Sequence, residues 1–138
     1  MLTSGLNMGD RRELATYRFS GTDYSTSETL TPGAVKIPYE FRIYSVGTGM
    51  ADNVTAGAFN VDPVVNGTTL GAYALTHDNT APLRNGATYD WAETQTTFAA
   101  GSTFGAAIAG ASGVAPTGKP ITVDYYLQLL LWQPNDIN

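Results

Sequence analysis

The sequence predicts an all-β fold, an antiparallel sandwich or jelly roll of about eight strands with an extended N-terminal arm. Two observations carry this prediction. Apolar and polar residues alternate along the strongest segments, and short segments rich in threonine, tyrosine and valine are separated by glycine and proline turns. The composition agrees, because only 14% of the 138 residues are charged, far fewer than in a coiled coil or a helical bundle.

The first clear alternation lies in residues 35–44, where every second side chain from Val35 to Ile43 is apolar or aromatic. This pattern predicts one strand with a core face that includes Tyr39 and Phe41, and an opposite face in water. Pro38 cannot donate to a hydrogen-bond ladder, which favours an edge position or a bulge at that point.

The strongest alternation lies in residues 121–132. Every second side chain from Ile121 is apolar or aromatic, and the opposite face begins with Thr122 and Asp124. That second face turns apolar at Leu130 and Trp132. A strand that is apolar on both sides is either central between two layers or covered by another chain.

The other predicted elements are shorter and are bounded by turn residues. The further predicted strands span 14–20, 54–61, 68–76, 87–91, 95–98 and 103–108. The predicted turns lie at 32–33, 47–49, 66–67, 85–86 and 101, with a long surface loop over 110–120. The alanine-rich segment 104–111 could instead form a short helix, although glycines at 101, 105 and 110 disfavour it.

The chain length predicts one domain. Residues 1–34 are polar and rich in serine and threonine, so we expect an arm or extended segment there, followed by a β-sandwich domain over 35–138. The sequence contains no cysteine, which excludes disulfide scaffolds, thiol catalysis and zinc ribbons.

The charge distribution argues against nucleic acid as a partner. The net charge is −5, residues 1–42 are neutral, and no basic patch is visible. No apolar stretch approaches the ~18 residues of a membrane span, so we expect no membrane partner.

No motif in the sequence indicates a catalytic activity. His77 is the single histidine and stands beside Asp78 in a polar segment, where a solvated side chain is the expected outcome. Asp90 and Glu93 flank Trp91, but a pair three residues apart at a strand end need not converge as glycosidase carboxylates do. We therefore expect a protein that is not an enzyme, with no catalytic residues, no cofactor and no metal.

The low charge indicates a surface that packs against other proteins. Interface centres are depleted of lysine, glutamate and aspartate, and the chain has only two lysines. A polar Ser/Thr arm over residues 22–29, an all-β body and a surface rich in threonine, alanine and glycine resemble tailed-bacteriophage virion proteins, most of all head decoration (cement) proteins.

The resemblance implies a non-enzymatic virion structural protein that stabilises the head by bridging capsid subunits. Its partners would be the major capsid protein or other virion proteins and further copies of itself, with a trimer favoured. It would be made in the host cytoplasm and lie on the capsid surface. The implied interface residues lie in the arm and on the second face of the last strand: Arg11, Arg12, Tyr24, Tyr126, Leu130 and Trp132.

A carbohydrate-binding jelly-roll module of a phage fibre or a lectin is the alternative. Tyrosine and tryptophan rings stack on sugars, and polar neighbours bond to hydroxyl groups. In this alternative, Tyr73, Tyr89 and Trp91 would gather with His77 and Asp78 at one end of the sandwich.

Overall fold

The computed structural model describes residues 11–89 and 96–131 of the chain. These residues form an all-β protein, which confirms the predicted fold class. The strands are β1 (Arg11–Gly21), β2 (Glu28–Thr29), β3 (Val35–Lys36), β4 (Glu40–Met50), β5 (Ala56–Val65), β6 (Thr68–Thr69), β7 (Leu75–His77), β8 (Arg84–Thr88), β9 (Thr103–Ala115) and β10 (Ile121–Leu131). A short 3-10 helix, Gly71–Tyr73, lies between β6 and β7.

The strands pair as two antiparallel sheets with jelly-roll topology. The four-stranded sheet has the order β1-β10-β4-β8, and the six-stranded sheet has β9 between β2 and β5, with β3 beside β9, and β6 and β7 beside β5. The ten strands reduce to eight if β2 and β3 are counted as one strand and β6 and β7 as another. In this count the first strand pairs with the eighth, the second with the seventh, the third with the sixth and the fourth with the fifth. That nested pairing is the eight-stranded jelly roll.

The strand predicted over residues 35–43 is divided between the two sheets. Val35 and Lys36 pair with β9, whereas β4 begins at Glu40 and pairs with β10. Pro38 lies between the two pieces, where its missing N–H costs no ladder bond. Tyr39 is 44% exposed, so its predicted place in the core is wrong, because the change of sheet breaks the alternation.

The core lies between the sheets and contains a network of aromatic rings. Phe104 contacts Phe19, Phe41 and Tyr125, with ring centroids 5.3–5.9 Å apart. The alternation predicted for the last strand is confirmed, since every second side chain of β10 from Ile121 to Leu129 is buried and Leu131 is partly buried. Tilted and edge-to-face ring contacts add to the stabilisation from apolar burial.

The turn predictions are right at some glycines and wrong at others. Asn66 and Gly67 have positive φ, 52° and 80°, and join β5 to β6 as a tight hairpin. Residues 47–49 lie inside β4, and residues 85–86 lie inside β8, so neither predicted turn forms. Residues 104–111 are strand and not helix, and β9 continues to Ala115, so the predicted loop at 110–120 shortens to its last five residues.

The described part of the predicted arm contributes to both sheets. β1 pairs with β10 over its whole length, and β2 pairs with β9. Asp23 bonds to Ser25 and to the Gly118 N–H, which attaches this segment to the β9–β10 connection. A domain boundary at residue 34 stays a prediction.

None of the residues that the structure describes forms a helix long and apolar enough to cross a membrane.

Candidate functional site: the outer face of the four-stranded sheet

The side of the four-stranded sheet that faces away from the core is its outer face. Alternate residues of β10 point to it, and Thr122, Asp124, Tyr126 and Gln128 are all partly exposed. The registers set their neighbours: Asp124 lies between Arg18 of β1 and Gly47 of β4. Directly opposite residues of an antiparallel pair share one face, so these rows cross the whole sheet.

One end of the outer face carries two leucines, with Arg12 and Glu40 opposite Leu130 and Arg42 opposite Gln128. Leu14 is 56% exposed and lies opposite Gln128, diagonal to Leu130 across the β1–β10 pair. Diagonal neighbours lie about 7–8 Å apart, within reach of leucine side chains. The side-chain amide oxygen of Gln128, Oε1, is buried without a hydrogen-bond partner. We call Leu14, Gln128 and Leu130 the apolar end.

The other end of the outer face is a groove of about 770 Å³. Its floor is made by Gly47 and Gly49 of β4, which have no side chains to fill it. Gly47 lies opposite Gly86 of β8, and Gly49 lies opposite Arg84. The complete lining is Arg18, Gly47, Thr48, Gly49, Met50, Ala51, Leu83, Arg84, Asn85, Thr122, Asp124 and Tyr126.

The wall of the groove on the β10 side holds an ion pair. Arg18 donates through Nε and Nη2 to the two oxygens of Asp124, at 2.8 and 3.0 Å. This two-pronged contact fixes both side chains in one plane. The hydrogen bond to Asp124 raises the pKa of the Arg18 guanidinium.

His77 lies in β7 with no exposed surface, and the prediction of a solvated histidine is wrong. Its ring stacks on Phe59 at 4.8 Å, and Nε2 lies 2.7 Å from the Thr48 hydroxyl oxygen. Nδ1 lies 3.3 Å from the Leu75 carbonyl oxygen, which can only accept, so Nδ1 carries the proton. Burial lowers the pKa of His77, and the neutral ring is a core residue.

Asp62 is a second buried ionisable group, with 4% of its surface exposed. Its Oδ1 has no hydrogen-bond partner, and loss of hydration raises the pKa of the carboxyl group. Burial also raises the pKa of Tyr89 to about 12 and raises that of Tyr125. The neutral tyrosines supply no acid or base near neutral pH.

The predicted interface residues do not all lie on one face of the structure. Tyr126 lies on the outer face as predicted, and Leu130 does too, although Leu130 is only 8% exposed. The backbones of Arg11 and Arg12 begin β1, opposite Leu131 and Leu130. Trp132 lies outside the described residues.

Tyr24 is a correction to the predicted interface. It has no exposed surface, its ring stacks on Phe59 at 5.1 Å, and its hydroxyl donates to the Asp52 carbonyl oxygen. A side chain without exposed surface cannot contact another subunit, so Tyr24 is a core residue.

The predicted sugar platform is only partly assembled. Tyr73 and Tyr89 contact edge-to-face at 4.9 Å, and the Tyr89 hydroxyl donates to the Tyr73 carbonyl oxygen. His77 is buried, which removes it from any such surface. Asp90, Trp91 and Glu93 lie outside the described residues.

Sequence reasoning missed the groove and Leu14. The glycines at 47, 49 and 86 have the sequence signal of turns, but they lie on the outer face of paired strands. Alternation within β1 could have placed Leu14 and Arg18 on one face, because both have the parity opposite to Phe19. Within the described ranges, no three histidine or carboxylate side chains come close enough to hold a metal ion.

Comparisons with known proteins give structural likeness alone. No family model matches the chain, and no curated protein matches it. A chain in the solved acid-stable capsid of a Helicobacter pylori bacteriophage is 17% identical, with a TM-score of 0.46, over 87% of this chain and 94% of that one. A chain of the empty head of turnip yellow mosaic virus is 11% identical, with a TM-score of 0.37, over 96% of this chain and 87% of that one.

An insecticidal delta-endotoxin from Bacillus thuringiensis is also similar, at 15% identity and a TM-score of 0.42. The match covers 79% of this chain but spans only 19% of the toxin. Likeness at these identities and TM-scores does not bear on function.

Proposed function

We propose that the protein is a non-enzymatic structural component of a virion, a decoration protein that stabilises a capsid by bridging its subunits. The observation that carries the proposal is the apolar end of the outer face, where Leu14 is 56% exposed and the neighbouring Leu130 is 8% exposed. An exposed leucine beside a nearly buried one gives a contact that further burial against a neighbour would stabilise.

The jelly-roll fold is compatible with this role. It is used in viral capsids and also in lectins, so the fold alone leaves both candidate functions open. The chemistry of the described residues favours a structural role. The buried ionisable groups His77, Asp62 and Tyr125 lie outside the groove lining, so none is presented to a substrate there.

The protein would stabilise the capsid by burying apolar side chains at the contacts between capsid subunits, and these contributions would add up over the shell. A fully buried leucine side chain contributes about 1.5–3 kcal/mol relative to an exposed one. One such contact is weak, but a capsid repeats it at every equivalent position, so loosening the shell must break many contacts together. Copies of the chain would form trimers through the apolar end.

Heat resistance of virions tests the proposal. Particles assembled with and without this protein are heated, and DNA release is followed with a fluorescent dye. We expect release at a lower temperature from the particles that lack it, and recovery when purified protein is added back. Equal release temperatures with and without the protein would overturn the proposal.

A matched pair of variants locates the contact. Leu14→Asp places a charge at the apolar end, whereas Leu83→Asp changes a leucine that is 39% exposed in the groove. We expect Leu83→Asp to restore heat resistance and Leu14→Asp to fail. Full rescue by Leu14→Asp would exclude the apolar end as the contact.

A further inference from the structure

The groove on the outer face has a chemistry different from that of the rest of the molecule. The chain carries a net charge of −5, yet the charged residues that line the groove are Arg18, Arg84 and Asp124. Arg18 and Asp124 neutralise each other, and Arg84 is exposed with no ion-pair partner in the described part of the chain. The groove therefore presents one uncompensated positive charge on an acidic protein, which favours an anionic ligand.

The floor of the groove is flat and has room above it. A methyl group added to Gly47 would lie 4.0 Å from its nearest neighbour, the Asn85 carbonyl oxygen, and one added to Gly49 would lie 3.9 Å from the Arg84 guanidinium. A ligand can therefore rest against the sheet backbone between Tyr126 on one side and Arg84 on the other. The volume of about 770 Å³ is that of a site for a small ligand.

The hydrogen-bonding groups of the groove are side chains. β4 pairs with β10 on one edge and with β8 on the other, so the backbone groups of the floor are already used in the ladders. An extended peptide lying on this floor would find no ladder partner in β4 for its own N–H and C=O groups. A ligand whose polar groups are hydroxyls and carboxylates can instead use the side chains of Asp124, Thr122 and the arginines.

We propose that this groove binds an acidic oligosaccharide, a chain of sugars that bears carboxylate groups. Arg84 pairs with the carboxylate, and the fixed Arg18–Asp124 pair donates to and accepts from neighbouring hydroxyls. The Tyr126 ring packs against the apolar face of a sugar ring. This proposal does not depend on the virion role, and the groove differs from the Tyr73–Tyr89 cluster.

Binding is tested on the purified full chain by NMR titration or calorimetry. The probes are a tri-galacturonate, a sialylated trisaccharide and neutral cellotriose at matched concentrations, with oligoglutamate as an acidic peptide. We expect at least one acidic sugar to bind at least tenfold more tightly than cellotriose and oligoglutamate. The two acidic probes distinguish a uronic acid from a sialic acid as the source of the carboxylate.

Three variants link binding to the groove. Gly47→Val places side-chain atoms on the floor, where a Cβ would lie 4.0 Å from the nearest atom, and should abolish binding. Gly71→Ala, at an open position outside the groove, should not change binding. Arg84→Gln should weaken binding of the acidic sugar at least tenfold, with little change for cellotriose. Binding that survives Gly47→Val, binding of oligoglutamate as tight as that of the sugars, or no binding to any acidic sugar at millimolar concentration would overturn the proposal.

These results are independent of the particle experiment. Heat resistance reports on the apolar end and needs no sugar, whereas the titration needs no virion. Failure of one proposal therefore leaves the other testable.

Discussion

At the scale of single residues, burial decides the roles of the ionisable groups. His77 is adjacent to Asp78 and Asn79 in the sequence, and nothing in that polar context reveals that its ring packs on Phe59. The pairing of β7 with β5 places it there, since His77 lies opposite Phe59 in the register. Sequence alone could identify the single histidine but not its environment, because the environment is set by a partner 18 residues away.

The buried neutral His77 predicts a loss of stability in weak acid. Its pKa is lowered in the folded state, so below the unfolded value of about 6.5 the unfolded chain binds more protons than the folded one. Stability is complete above that pH and falls as the pH decreases toward the folded-state pKa, by at most about 1.4 kcal/mol per pH unit. The nearby Asp78 opposes this effect in part.

Urea unfolding at pH 7.5 and 5.5 measures this effect. His77→Phe keeps a ring to stack on Phe59 and removes the titration, so its stability should change less between the two pH values than that of the unmodified chain. An equal pH dependence of the two proteins would show that His77 is not the responsible group.

Asp62 predicts the opposite pH dependence. Its folded-state pKa is raised, so the carboxyl group contributes less stability as the pH rises above its unfolded value of about 3.9. Asp62→Asn removes the buried charge while keeping the shape, and should stabilise the protein by about 1 kcal/mol at pH 8. The gain should shrink at pH 4, and a variant less stable than the unmodified chain at pH 8 would contradict the account.

At the scale of elements, alternation predicted strands well and glycine predicted turns unevenly. β10 was predictable because one face is apolar over its whole length, which a strand between a core and a solvent face requires. The strand positions of Gly47, Gly49 and Gly86 were not predictable. A glycine that leaves a sheet face open has the same sequence signal as a glycine in a turn. The change of sheet at Pro38 was only partly predictable. Proline indicates that the strand is interrupted, but not that the chain passes to the other sheet.

Two glycines with positive φ give a prediction at this scale. Gly57 has φ 71° in the irregular part of the β5–β9 pair, and a methyl group there would collide with the Ser112 and Gly113 backbone. Gly67 has φ 80° in the β5–β6 hairpin, with open space around it. Gly67→Ala should cost about 1–2 kcal/mol through the backbone alone, and Gly57→Ala about 3 kcal/mol or more.

Thermal or denaturant unfolding of the two variants provides the comparison. Both replace a left-handed glycine by alanine, so their difference isolates the collision with the neighbouring strand. If both variants lost the same stability, the close approach of β5 and β9 at Gly57 would be wrong.

At the scale of the whole molecule, the low charge indicated contact with other proteins but could not locate it. Leu14 became visible as an exposed apolar residue only when β1 was placed at the edge of the four-stranded sheet, beside β10. The predicted contact through Tyr24 is wrong because this side chain packs into the core, which its polar sequence neighbours do not indicate.

The proposed trimer gives a prediction for the isolated protein. Sedimentation should show a species of three 14.6-kDa chains at high micromolar concentration, and Leu14→Asp should weaken the association at least tenfold. Leu83→Asp is the control and should sediment like the unmodified chain. A monomer at every concentration would contradict the trimer, while leaving contact with other capsid proteins to be tested on particles.

The most direct test of the central claim is a cryo-electron-microscopy reconstruction of the virion that contains this protein. We expect density for the jelly roll on the outer capsid surface, over the seams between capsid subunits, with Leu14 and Leu130 at a protein contact. A reconstruction that places the protein away from any seam with its apolar end in solvent, or that contains no such density although the protein is produced, would contradict it.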